Sequence, residues 1–322
     1  MIAPVVLIIF ALVLAFVGPR ALRGSSWLER SPRVGIAAWQ ALSVSLLATV
    51  VLVGVSLAVP AISWATNLAE FFRACAMILR AQYSTPGGAI VSATGAAAAL
   101  TVLTRAGYCI TREFLGASRS SKRQSHALAL VAEHHDGYNA LIVEHTAAAA
   151  YCLPGRGPKI VLTTAAIEAL DHQQLAAVLA HERAHLSGHH HLILAAANAL
   201  QRAFPGVAAF RHARQALGSL VEMTADDTAV RENDRLTVAT ALVRLGERGI
   251  IPAAALGAGD VSALTRVRRL LSPERPLGIH RTVIATFATG ALLALPLFLA
   301  IAPASAANTM PPCPADNTLS TM

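Results

Sequence analysis

The chain has few charged residues and few cysteines for its length. Only 14% of its 322 residues are charged, against roughly 25% in soluble domains, and 55% are hydrophobic. This composition excludes a disordered chain and an ordinary water-soluble secreted protein. Its four cysteines are too few and too scattered for a disulfide framework, and none forms a C-x-x-C pair. Cys75 and Cys313 could pair in an oxidising compartment, but we expect four independent thiols.

Acidic residues are also scarce, with 18 Asp and Glu against 26 Lys and Arg, for a formal charge of +8. In a soluble domain such an excess would raise the question of nucleic-acid binding. In a membrane protein it has another cause, because Lys and Arg are retained on the cytoplasmic side. We therefore expect no direct nucleic-acid partner.

Charged residues are absent from four long apolar runs, at residues 1–19, 34–59, 81–104 and 282–302. Each run reaches or approaches the ~20 residues that a helix needs to cross a bilayer. The first run has no basic residue before its apolar core, so we predict an uncleaved span and not a signal peptide. The sequence thus predicts a multi-pass protein with the lipid bilayer as a partner.

The basic clusters all fall on one side when four spans are threaded with both termini outside, and the tail at 303–322 has no Lys or Arg. The clusters are Arg20, Arg23, Arg30 and Arg33 in the first loop, Arg105, Arg112, Arg119, Lys122 and Arg123 after the third run, and Arg266, Arg268, Arg269, Arg275 and Arg281 before the fourth. The positive-inside rule therefore predicts a plasma-membrane protein with both termini extracytoplasmic.

This arrangement of spans in the membrane divides the chain into four segments. Residues 1–104 hold three transmembrane helices, with an interfacial helix near 60–80 where apolar residues recur at helical spacing. Residues 105–281 form a cytoplasmic domain, 282–302 a fourth transmembrane helix, and 303–322 a short extracytoplasmic tail.

The cytoplasmic segment begins with short β-prone runs separated by turn residues. The runs are HALALVA at 126–132, YNALIV at 138–143 and TAAAAYCLPGRGPKIVLTT at 146–164, which predict a small sheet of three or four strands. From Ala165 to about Leu271 the pattern is helical, so we predict an α+β domain. The TAAAAYCLP stretch could be an edge strand to which a substrate peptide adds, or a buried strand.

A metal-binding pattern lies on one of these helices. Asp171 and Gln174 resemble a capping box, and the helix that they open contains His181-Glu182-x-x-His185. Histidines at i and i+4 lie about 6 Å apart along one helix face and can reach one Zn²⁺. The intervening glutamate can take a proton from a water that the metal polarises. We predict zinc ligation by His181 and His185, with Glu182 as the general base.

A third ligand has two candidates, Glu222 and His191. Glu222 lies on a later helix, and Asp226 one turn on can accept the second ring N–H of a ligand histidine. His191 completes the longer pattern H-E-x-x-H-x-x-G-x-x-H, but it can share the metal only if the chain reverses at Gly188. The following residues are strong helix formers, so we predict a continuous helix and favour Glu222. The run at 189–191 is then expected to face solvent or membrane.

Most of the chain resembles the antirepressor-type integral-membrane zinc metallopeptidases, the family of the bacterial beta-lactam sensor-transducers. The resemblance lies in three N-terminal spans, the run KIVLTTAAIEALDHQQLAAVLAHERAH, the E-M-T-A-D match to E-x-x-A-D, a following ALVRL helix, the basic RVRRLLSP and a last span. The CAAX-type and heat-shock-type membrane metallopeptidases share the two zinc motifs, but the order of three spans, domain and one span favours the antirepressor type.

This resemblance implies four membrane helices with a cytoplasmic α+β gluzincin-like domain. It further implies His181, His185 and Glu222 as zinc ligands, Glu182 as the general base and Asp226 as a hydrogen-bond partner of the ligand set. About 20 residues follow Ile301, where the transducers have a penicillin-binding domain, so we expect no sensing by that route. The His189–His191 run also departs from the family.

The expected function is a membrane zinc endopeptidase that cleaves a cytoplasmic protein, with a DNA-binding transcriptional repressor as the first candidate substrate. A separate sensor protein could supply an envelope signal. The alternatives are a membrane-protein quality-control protease and a non-catalytic membrane receptor. Glu182 argues against the receptor, because a silent site needs no base.

Overall fold

The computed structural model describes residues 2–58, 87–155, 159–248, 259–272 and 277–307. The predicted interfacial helix near 60–80, Cys75, Cys313 and the tail from residue 308 lie outside this part of the chain. Cys109 and Cys152 are free thiols.

Four helices are long and apolar enough to cross a membrane. They are α1 (Ile2–Arg23), α3 (Pro32–Ala58), α4 (Gly88–Val131) and α11 (Ile279–Ala307), with the short α2 (Trp27–Arg30) between the first two. They contain the described parts of the four apolar runs apart from Gly87, while residues 1, 59 and 81–86 of those runs are not described. The membrane-protein prediction is supported by these helices.

The chain divides into two compact units, and the first contains residues 1–13, 44–103 and 291–322. Within it α3 and α4 approach closely at two glycines. A Cβ on Gly54 would lie 2.6 Å from the carbonyl oxygen of Gly95, and one on Gly95 would lie 2.7 Å from that of Gly54. Ser45 in α3 donates a hydrogen bond of 2.8 Å to the carbonyl of Leu292 in α11. Small residues and hydroxyl hydrogen bonds are the usual contacts between helices in lipid.

The second unit contains residues 14–43 and 104–290 and includes a four-stranded sheet. The strands β1 (Ala132–His135), β2 (Ala140–Val143), β3 (Ala150–Leu153) and β4 (Lys159–Thr163) lie in the order β1-β2-β4-β3. β2 and β4 are parallel, and the two outer pairs are antiparallel. The predicted sheet is confirmed, and β3 is at its edge.

One predicted strand is wrong. The run HALALVA forms the end of α4, which continues to Val131, and the first strand begins only at Ala132. The run HALALVA is short and almost wholly apolar, so its hydrophobic pattern does not distinguish a strand from a helix. The preceding polar residues extend the helix because they carry no breaking Gly or Pro between Gly116 and Val131.

Helices cover the sheet and form the rest of this unit. They are α5 (Thr164–Ala169), α6 (His172–Ser187), α7 (His190–Ala203), α8 (Ala208–Ala229), α9 (Arg235–Arg248) and α10 (Gly259–Leu271). The core below the sheet contains Leu162, Ala166 and Leu175, all nearly inaccessible to solvent. Helix α6 contacts β3 and β4 on one side and α8 and α9 on the other, which places it in the centre of the domain.

Candidate metal centre

Helix α6 presents two imidazoles toward one point. The predicted capping box is confirmed: Asp171 accepts a hydrogen bond of 2.9 Å from the Gln174 N–H, and Gln174 accepts one of 3.2 Å from the Asp171 N–H. From this fixed start, the i and i+4 spacing brings the Nε2 atoms of His181 and His185 to 3.1 Å from each other. Both rings are largely buried.

Glu222 approaches the same point from α8. Its Oε2 lies 3.6 Å from His181 Nε2, and its Oε1 lies 3.5 Å from His185 Nε2. Two ligands of a tetrahedral zinc ion with bonds of 2.0–2.1 Å lie about 3.3 Å apart, so these separations fit a zinc ion. The donor set of two imidazoles and one carboxylate also fits, because it is that of catalytic zinc sites with an open fourth position. The structure thus brings together the three predicted ligands.

Asp226, one helical turn after Glu222, contacts the other side of the His181 ring. Its Oδ1 lies 3.0 Å from His181 Nδ1, and only 1% of the residue is exposed. A carboxylate there accepts the Nδ1 proton and leaves the Nε2 lone pair of His181 for a metal. This is the arrangement that we predicted for Asp226.

Arg266 on α10 completes the charge balance of the site. Its guanidinium donates two hydrogen bonds of 2.8 Å to the Asp226 carboxylate and one of 2.8 Å to Glu222 Oε2. The arginine is buried, so this fork holds both carboxylates in place.

Arg266 is a site residue that the sequence analysis missed, because it was counted among the topology-determining charges before the fourth span. Arg269 is also engaged, in a bidentate pair with Asp227. One signal was available: Arg266 lies one turn before the buried Leu270, on the apolar face of an amphipathic helix. A buried arginine requires a carboxylate partner, and Asp226 is that partner.

The electrostatics favour a cation between the imidazoles. Burial would raise the pKa of Glu222, but the hydrogen bond with His181 and the charge of Arg266 lower it to about 2. Burial lowers the pKa of His185 to about 3, so this ring is neutral. Burial would also lower the pKa of His181, but hydrogen bonds with Asp226 and Glu222 raise it to about 9. A metal at His181 therefore competes with a proton, as metal ligands commonly do.

Glu182 follows His181 on α6 and lies between the ligand set and the edge strand. Burial raises its pKa above the ordinary value, and the charge of Glu222 adds to this effect. The thiol of Cys152 on β3 lies close enough to interact with the Glu182 carboxylate. Burial and this carboxylate raise the pKa of Cys152 to about 12, so it remains a thiol. The contact shows that β3 passes directly beside the predicted base.

The predicted continuous helix through Gly188 is wrong. Helix α6 ends at Ser187, Gly188 caps it, and His189 adopts the left-handed conformation with φ 50° before α7 begins at His190. Histidine is one of the residues that tolerate this conformation, and its Nδ1 lies 3.1 Å from the Ser187 carbonyl. The good helix formers after Gly188 do form a helix, but it is a new one.

The three histidines of the 189–191 run consequently differ from one another. His189 is exposed, and His191 lines a pocket of about 490 Å³ with Arg183 and Pro154, away from the three clustered donors. His190, by contrast, is 4% exposed, and its Nδ1 lies 2.9 Å from Nδ1 of His185. The expectation that all three face solvent or membrane is therefore wrong for His190.

Residues 116–224 match the model of Peptidase family M48. The matched segment is about one third of the chain and includes His181, Glu182, His185 and Glu222. No curated protein and no solved structure matches the chain. The family match, together with the four apolar helices and the clustered donors, supports a metallopeptidase of the membrane type.

Proposed function

We propose that this protein is a plasma-membrane zinc endopeptidase of the antirepressor type, which cleaves a cytoplasmic protein. The observation that carries the proposal is the convergence of His181, His185 and Glu222 beside Glu182. The four apolar helices and the family match support the membrane setting and the reaction class. A transcriptional repressor is the substrate that the sequence resemblance favours.

The residues of the site have separate tasks in peptide hydrolysis. His181, His185 and Glu222 would hold the ion, and Asp226 keeps the His181 ring turned with Nε2 toward it. Bound zinc supplies Lewis-acid polarisation of the scissile carbonyl and makes water a nucleophile at neutral pH. Glu182 takes the proton of the attacking water on its carboxylate and returns it to the departing amine. Its raised pKa suits both transfers, because a base that returns a proton must not be too weakly basic.

Strand β3 is suited to hold the substrate. It lies at the sheet edge, pairs in the described sheet with β4 alone, and contacts α6. Its small residues Ala150 and Cys152 leave room for a peptide to add as a further strand. A peptide bound there would pass beside Glu182, because Cys152 already contacts that side chain.

The charge distribution supports a cytoplasmic location for the active site. Arg266 and Arg269 form ion pairs in the folded domain, but acidic partners contribute little to membrane orientation, so the clusters at 20–33, 105–123 and 266–281 all count. These clusters favour a cytoplasmic protease domain and extracytoplasmic termini.

A reporter fused after Lys159 should therefore behave as cytoplasmic, and one fused after Asp316 as external. Paired alkaline phosphatase and fluorescent-protein fusions at both positions measure this, each serving as the control for the other. An external reporter after Lys159 would remove cytoplasmic proteins from the possible substrates.

The substrate class can be tested by comparing a deletion strain that carries the wild-type protein with one that carries Glu182→Gln. Mass spectrometry of new protein N-termini should find one or a few cytoplasmic cleavage products that depend on Glu182. Many products from membrane proteins would instead indicate the quality-control function. Identical N-termini in the two strains, with an intact signalling response, would indicate the non-catalytic receptor.

A further inference from the structure

The break between α6 and α7 returns one histidine to the metal site. In a continuous helix, His190 would be five residues after His185 and about 140° around the axis, so the two rings could not meet. The left-handed His189 changes the chain direction, and the His190 ring then packs at 89° to that of His185 with centroids 4.8 Å apart. The resulting Nδ1 to Nδ1 distance is 2.9 Å, a hydrogen bond between two buried rings.

The direction of this hydrogen bond follows from where the protons must be. His185 Nε2 points at His181 Nε2 and at Glu222, so it needs a free lone pair to bind a cation. The single proton of a neutral His185 ring is then on Nδ1 and is donated to His190 Nδ1. His190 must accept with Nδ1 and carry its own proton on Nε2.

We propose that His190 is a positioning residue for the metal centre, which fixes the tautomer and the ring orientation of His185. His190 accepts the Nδ1 proton of His185, as Asp226 accepts the Nδ1 proton of His181. The two ligand histidines thus have different acceptors, a carboxylate for His181 and a neutral imidazole for His185. This inference rests on the proposed zinc site.

Gly188 is an independent observation in favour of this role. Its φ is −78°, which any residue can adopt, so the backbone conformation does not require glycine. The position of the His190 ring requires a glycine, because a Cβ on residue 188 would overlap Nε2 of that ring and would lie 2.7 Å from its Cδ2. The glycine thus makes the space in which His190 reaches His185. Beyond the ring is a pocket of about 310 Å³, lined also by Arg33 and Thr224.

The test is the zinc affinity of the full-length protein in detergent, measured by competition with a chromophoric chelator. His190→Ala should weaken zinc binding about 10–100-fold, the usual size of losing a hydrogen-bond partner of a ligand. His190→Asn should restore most of the affinity, because the amide oxygen of asparagine can take the place of Nδ1. His190→Gln should not, since its amide is placed where Nε2 was. Gly188→Ala should weaken binding as His190→Ala does, and the double variant should be no worse than either.

The controls separate this inference from the zinc site itself. His189→Ala and His191→Ala change the neighbouring histidines, which do not contact His185, and should bind zinc as the wild type does. Thermal unfolding of each zinc-free variant checks that affinity, and not folding, has changed. One outcome would overturn the role of His190 and leave the zinc site in place. In that outcome His190→Ala and His190→Asn bind zinc as tightly as His191→Ala does, while His185→Ala has lost zinc binding. Wild-type affinity in His185→Ala would overturn both.

Discussion

Replacing Glu182 with glutamine should abolish peptide cleavage and leave the zinc content unchanged. Glutamine has nearly the same shape but cannot take a proton from water, and general-base catalysis contributes about 10²–10⁴-fold to the rate. The zinc content should be preserved because Glu182 is not among the three clustered donors, which come from His181, His185 and Glu222. Metal analysis of the purified protein and cleavage of its cytoplasmic substrate measure the two effects separately.

A matched control for this change is Glu168→Gln, the same chemical replacement on an exposed position of α5. It should alter neither zinc content nor cleavage. A Glu182→Gln protein that lost its zinc but continued to cleave would show that the two roles were assigned to the wrong residues.

Glu222→Ala should cause the largest loss of zinc, because it removes a ligand and not a partner of a ligand. Removing a hydrogen-bond partner of a ligand weakens metal binding by up to about 100-fold, and we expect Glu222→Ala to weaken zinc binding by more than that. The change also leaves the Arg266 guanidinium without one of its two carboxylates, close to both imidazoles. Asp226 would then be the only carboxylate partner of Arg266, and the less fully compensated positive charge further opposes cation binding.

His191→Ala is the comparison for Glu222→Ala, because His191 is the other candidate third ligand. The structure places His191 in the pocket with Arg183 and Pro154, and its removal should leave the zinc content unchanged. Zinc analysis of the two purified variants decides between the candidates. Loss of zinc in His191→Ala but not in Glu222→Ala would move the protein to the class with the longer histidine motif.

The sequence was sufficient to predict the features that depend on local spacing. The capping box at Asp171, the paired histidines on α6 and a small sheet of three or four strands were predicted from patterns a few residues long. The choice of Glu222 over His191 agrees with the geometry, although its stated reason was wrong. The helix does break at Gly188, but the break turns His190, and not His191, toward His185.

The features that were missed depend on side-chain contacts that helix propensity and charge counts do not show. Arg266 is 40 residues from Asp226 along the chain, and although its position on the apolar face of α10 indicates burial, no local pattern shows which carboxylates it will contact. The break at Gly188 is similar, because helix propensity favours continuation and only the packing of His190 against His185 favours the turn. In both cases tertiary contacts outweighed the local preference.

The close approach of α3 and α4 limits how a signal could pass along these two helices. Gly54 and Gly95 each face the backbone of the other helix, with the Cβ atoms of Ala99 and Leu57 as further near neighbours, so the two surfaces interlock closely. Sliding one helix past the other by a turn, about 5.4 Å, would bring Val50 or Ala58 of α3 to the place of Gly54. Either residue has a Cβ that would collide with the opposing backbone. A piston movement of one helix alone is therefore disfavoured, and the pair should tilt or rotate as one rigid body.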